Sequence, residues 1–127
     1  INLSRYSRAS PMIEVAQLEE MFENIKTAGK WDMSAPMLWG YFFTDPSDEK
    51  LRLAADRLEA MGYRYVAIFE PQLDEGTDPY FFLHVEREEV HSAASLDGRN
   101  RELTTFADEL GLATYDGMDV GPIQARQ

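Results

Sequence analysis

The stretch Met37 to Phe69 constrains the fold more than any other part of the chain. Met37-Leu38-Trp39-Gly40-Tyr41-Phe42-Phe43 is almost wholly apolar and aromatic, the composition of a strand covered on both faces. Thr44-Asp45-Pro46-Ser47-Asp48 interrupts it and starts a helix, with Asp45 suited to accept from the first free amides and Pro46 to the first helical position. Leu51, Ala54, Ala55, Leu58 and Met61 then recur at helical spacing, and Gly62 supplies the stop. Tyr63 to Phe69 reads as a second strand. A strand–helix–strand unit of this length leaves its two strands parallel through a right-handed crossover.

The rest of the chain extends that unit in both directions. Ile1 to Ala9 shows no period and reads as a mobile arm, followed by a helix capped at Ser10-Pro11 with a stripe of Val15, Leu18, Phe22 and Ile25. Gly29 ends that helix, and Lys30 to Pro36 is a connector that Trp31 anchors. Beyond Phe69, Pro71 to Pro79 is an acidic turn and Tyr80 to Val85 a third strand, after which Glu86 to Ser92 leads out of the sheet. A last helix starts near Ser95 or Asp97 and stops at Gly111. Leu112 to Asp116 makes a short fourth strand, and Gly117 begins a tail.

A helix followed by β–α–β–β–α–β predicts an α+β, ferredoxin-like βαββαβ sandwich of sheet order 4-1-3-2 with an additional N-terminal helix. Strands one and three are the apolar ones, as central strands should be, and strands two and four carry the polar residues expected at edges. The organisation follows: 1–35 as arm, helix and connector, 36–121 as the ferredoxin-like domain, 122–127 as a C-terminal tail.

Alternation along the strands divides them into two faces. Leu38, Phe42, Val66, Ile68, Phe81, Leu83 and Val85 form a set placed under the helices. Trp39, Tyr41, Phe43, Tyr65, Phe69, Phe82, His84 and Tyr115 form an opposite, aromatic set that either marks an interaction surface or is covered by the N-terminal helix or a second copy. RNA-recognition domains stack bases on such a face. Here the glycine–aromatic signature is missing, and 12 basic against 23 acidic residues, a net charge of −11, repel nucleic acid.

Chemistry-bearing motifs are scarce. His84 and His91 lack companion ligands at metal spacing, and cysteine is absent. No G-x-S-x-G, phosphate loop or dinucleotide fingerprint occurs. The acidic pairs read as solvated faces, so no catalytic residue, metal or cofactor is expected. No apolar run approaches the roughly 20 residues that span a bilayer, and no leader is visible, which predicts a cytoplasmic location without membrane contact. The chain begins at Ile1 rather than a methionine, leaving room for a preceding segment.

The C-terminal portion carries a resemblance. Asn100-Arg101-Glu102-Leu103 through Phe106-Ala107-Asp108-Glu109-Leu110-Gly111 runs into Leu112-Ala113-Thr114-Tyr115-Asp116-Gly117. This helix feeding a strand that ends in Tyr-Asp-Gly resembles the RraB family of bacterial regulators of ribonuclease E activity. Phe42-Phe43-Thr44 leading through Leu51 and Leu58 to Gly62-Tyr63 is similar to the same family's middle. The resemblance covers about residues 36 to 121. Two departures stand out: Met118 follows Tyr-Asp-Gly where family members often have tryptophan, and Val120 to Gln127 stands where they often carry a long acidic tail.

The resemblance implies a non-enzymatic, acidic, ferredoxin-like protein that binds a protein partner, ribonuclease E or another basic protein, as monomer or homodimer. Partner-binding residues are expected at Tyr115, Asp116, Gly117, Glu88, Glu89, Trp39 and Tyr65. Two alternatives stand beside this reading. One is an immunity-type protein that neutralises a toxin, which would have much the same composition; the other is a small-molecule-binding or catalytic ferredoxin-like domain that uses the aromatic face as a pocket wall, with a pocket between Trp39, Tyr65 and His84.

Overall fold

The computed structural model describes residues 14–29 and 31–123. In chain order these are α1 (Val15–Ala28), β1 (Met37–Asp45), α2 (Asp48–Ala60), β2 (Arg64–Phe69), β3 (Phe81–Glu89), α3 (Ala93–Leu110) and β4 (Thr114–Gly121). The strands form one sheet in the order β2-β3-β1-β4. Every neighbouring pair is antiparallel, so β1 and β2 run parallel on either side of β3. The fold is the expected ferredoxin-like arrangement with an N-terminal helix.

Local chemistry explains the boundaries. Ser47, not Asp45, caps α2, its side chain accepting from the Lys50 amide. Asp45 instead ends β1 and bridges two turns, accepting from the Ser47 amide at 2.8 Å and the Ala113 amide at 2.9 Å. Ser92 caps α3, three residues before Ser95 and earlier than the expected start. Gly29 and Gly111 close α1 and α3 with φ of 66° and 69°, a conformation that costs glycine little. The expected arm Ile1–Ala9 and the cap Ser10-Pro11 lie outside the described residues.

One core gathers all three helices against the sheet. Leu18, Met21 and Ile25 of α1, Leu51, Ala54, Ala55 and Leu58 of α2, and Leu96, Leu103 and Ala107 of α3 are buried in it. Phe22 reaches Trp39 with ring centroids 6.2 Å apart, so α1 joins the helix-covered side. Among the described residues, no helix is long and apolar enough to cross a membrane.

The face assignment of β1 is corrected. Phe43 stands opposite Leu83 and Tyr41 opposite Val85, so these residues share a side. Trp39, Tyr41 and Phe43 are wholly buried beneath the helices. Tyr115 is on that side too, its ring 5.3 Å from Phe43. Leu38 and Phe42 belong to the other face, where Phe42 stacks on His84 at 4.4 Å and Phe82 stacks on Phe69 at 5.4 Å. Val66, expected in the core, is exposed beside an irregularity in the β2–β3 register. Almost every residue of β1 is buried on both sides, so apolarity alone did not reveal which set faced the helices.

Two strands are longer than expected. Glu86 to Glu89 continue β3 and pair with Met37 to Gly40. Gly117 to Gly121 continue β4 rather than forming a tail, and they bring Met118 and Val120 into the core.

Candidate functional site

Continuing β3 to Glu89 places charged side chains at the helix-covered end of the sheet. Glu89 Oε2 accepts from the Tyr41 hydroxyl at 2.5 Å and from Arg99 Nη1 at 2.6 Å. His91 Nε2 lies 3.0 Å from the same oxygen. A carboxylate can only accept, so this ring nitrogen carries a proton. Arg87 Nε stands 3.6 Å from the other carboxylate oxygen. The Arg99 guanidinium lies over the rings of Tyr41 and Tyr63, at 5.6 and 5.5 Å.

This cluster joins β1, β3 and α3. Burial disfavours the Glu89 anion, but hydrogen bonds from His91, Tyr41 and Arg99 outweigh it and hold the carboxyl down at about 2. Burial, then the Glu89 charge, pushes the Tyr41 hydroxyl far above its ordinary range. Arg99 is held more firmly cationic by Glu89 against the opposing effect of burial. Carboxylate, phenol and guanidinium therefore keep their protonation states through neutral pH, and the cluster acts as a polar staple.

The Tyr115-Asp116-Gly117 segment forms a bulge at the β4 edge. Phe43 pairs with Tyr115 but Phe42 pairs with Gly117, leaving Asp116 as the extra residue. Gly117 has φ of 122°, which explains glycine there. Tyr115 donates its hydroxyl to Asn100 Oδ1 at 2.6 Å, and burial holds that hydroxyl protonated well above its usual range. Asp116 is half-buried.

The residues expected to meet a partner thus do not converge. Glu88 is exposed at one end of the sheet, opposite Leu38. The Tyr115 bulge faces Phe43, roughly 16 Å away along β1 at ~3.3 Å per residue. Tyr65 is 43% exposed on the opposite edge strand, beside Ala55 of α2. Trp39, expected on an aromatic surface, is corrected to the core, where its ring meets His91 edge-on at 5.1 Å. His84 lies on the other side of the sheet, so no pocket forms between Trp39, Tyr65 and His84.

Sequence reasoning missed Arg99 and His91 as partners of Glu89, and it missed Asp119. His84 and Asp119 close over Gly40, where an added Cβ would lie 2.8 Å from His84 Nε2 and would collide with Asp119 Oδ1. Burial raises the Asp119 carboxyl and lowers the His84 imidazole. The glycine in an otherwise aromatic strand was the available signal, because it marks a close approach.

The family model described as "Regulator of ribonuclease activity B" matches residues 16–120. The match runs from α1 through β4 and includes the bulge. The chain belongs to the RraB family. No curated protein matches it. In this RraB chain Met118, the residue after Tyr-Asp-Gly, is wholly buried and stands opposite Tyr41. A change of residue at that position would therefore alter core packing, not exposed surface.

Proposed function

We propose that this protein regulates an endoribonuclease of the ribonuclease E type by binding it, without acting on RNA itself. The family match over residues 16–120 carries this reading. The net charge of −11 supports a basic protein segment as the partner, because complementary fields steer encounter and like charge repels nucleic acid. Exposed acids such as Glu88, with Tyr65 as an exposed aromatic, offer contact area. In this reading Tyr115, Asp116 and Gly117 shape the β4 edge, and Glu89 sets the fold behind the surface.

The test is binding of the purified chain to purified ribonuclease E across a salt series, alongside cleavage of an RNA substrate with and without the chain. Binding that weakens steeply with salt and slows cleavage is the expected result. Cleavage of RNA by the chain alone, or binding indifferent to salt, would sink the proposal.

A further inference from the structure

Between α1 and the connector that follows it lies a groove of about 390 Å³. Phe22, Trp31 and Met33 give it apolar walls, all half-buried and packed against the core. Glu19, Glu23 and Asp32 stand along it with exposed side chains, and among the described residues that line it Lys26 supplies the one ammonium. Asp32 is held in place by the Ser34 amide at 3.0 Å and the Ser34 hydroxyl at 2.5 Å.

The arrangement carries an electrostatic cost. Glu19 and Glu23 are four apart on one helix face, where like charges destabilise a helix. Among the described residues neither has an ion-pair partner, whereas Asp48, Asp97 and Glu102 each have an arginine on their own helix. A cation placed between Glu19, Glu23 and Asp32 would relieve that repulsion. Its aliphatic stem could lie along Phe22, Trp31 and Met33, as long basic side chains do on apolar surface, and the Trp31 ring suits a guanidinium.

We infer that this groove is the docking site for a basic segment of the protein partner, an arginine flanked by an apolar residue. This rests on the reading that the protein works by holding a basic partner, and it names the surface that does so. The groove is backed by the core through the Phe22–Trp39 contact, so its apolar wall is set before a partner arrives.

The experiment uses the full chain and two probes: purified ribonuclease E, and a short fluorescein-labelled peptide alternating arginine with leucine. Variant Glu19→Lys/Glu23→Lys is compared with Glu49→Lys/Glu109→Lys, which makes the same change of net charge at exposed sites elsewhere on α2 and α3. The groove variant is expected to bind both probes at least about tenfold more weakly, and the control less than about threefold. Trp31→Ala should reproduce the loss for the peptide without altering net charge, with circular dichroism reporting that each variant is folded. Amide and indole N–H shifts in the unmodified chain should cluster at Glu19, Phe22, Glu23 and Trp31 on peptide addition. Equal losses in both charge variants, or shifts clustered elsewhere, would overturn the groove while leaving ribonuclease E binding intact. Failure of the unmodified chain to bind ribonuclease E would count against the functional reading, and the peptide data would still decide the groove.

Discussion

Tyr41 on β1 and Glu89 on β3 meet through a 2.5 Å hydrogen bond, although neither stands directly opposite the other in the sheet. Tyr41 pairs with Val85, so the contact spans the Trp39–Arg87 step and draws the ends of the central strands together beneath α3. Replacing Tyr41 by phenylalanine removes one of three donors to Glu89 and should cost about 1.5–3 kcal/mol, the worth of a hydrogen bond to a charged group. Glu89→Ala should cost more, on the order of 3–5 kcal/mol, because it leaves the largely buried Arg99 with only the exposed Glu102 carboxylate, 3.9 Å away. Urea unfolding of both variants checks the order, and an equal or reversed ranking would show that Arg99 finds another partner.

The same carboxylate gives the fold an acid dependence of defined sign. Glu89 is held at about 2 in the folded chain, below its ordinary value of 4.5. Its stabilising effect is therefore complete above the unfolded value, and it is lost as the pH falls from about 4.5 through about 2. Glu89→Gln should flatten that part of the stability curve without changing its shape above neutrality. Melting temperatures across an acid series provide the reading, and an unchanged acid limb in the variant would place the dependence elsewhere.

The topology was legible because two independent signals agreed: strand apolarity and the order of elements. The phase of β1 was not, for a physical reason. Leu38 and Phe42 on one side and Trp39, Tyr41 and Phe43 on the other are all apolar, so periodicity alone could not choose a face. Only pairing with Leu83 and Val85 decides it. Glu86 to Glu89 looked like a solvated exit from the sheet because charge usually means water. The strand period nevertheless continues through it, turning Arg87 and Glu89 toward the helices and Glu86 and Glu88 away. The partners Arg99 and His91 come from α3 and the loop before it, and sequence spacing does not encode that convergence. The Tyr-Asp-Gly motif was legible as a family mark, but its bulge appears only in the register with β1.

Gly40 predicts a coupled pair. An alanine methyl there would meet the carboxylate of Asp119 and the ring edge of His84. The Asp119 carboxylate accepts from the Gly40 backbone and His84 is stacked on Phe42, so both resist displacement. Gly40→Ala should therefore destabilise by about 1–3 kcal/mol, as overpacking does. In an Asp119→Ala background the same change should cost measurably less, since the two sites share the space. Additive costs in the double-mutant cycle would show that His84 alone sets the constraint.

Asp45 predicts a long-range turn effect. Its two carboxylate oxygens separately accept the Ser47 and Ala113 amides, tying the start of α2 to the turn between α3 and β4. Asp45→Ala should cost about 2–4 kcal/mol, the loss of two charge-assisted bonds at a buried site. Amide exchange should quicken at both Ser47 and Ala113. Acceleration at Ser47 alone would mean that Ala113 is satisfied by another acceptor.

Tyr115 and Glu88 should separate stability from recognition. The Tyr115 hydroxyl is committed to Asn100 and its ring to Phe43, so Tyr115→Phe should lower stability by about 0.5–1.5 kcal/mol. Under the proposed mode of action, the complex of the folded variant with ribonuclease E should keep its dissociation rate. Glu88→Lys alters an exposed charge at the other end of the sheet and should leave the melting temperature nearly unchanged while slowing association, most visibly at low salt. Stopped-flow binding at two salt concentrations distinguishes the cases. A Tyr115→Phe complex that dissociated several-fold faster at full folding would instead place that hydroxyl in the interface, and the bulge would then be a contact surface as well as a device of the fold.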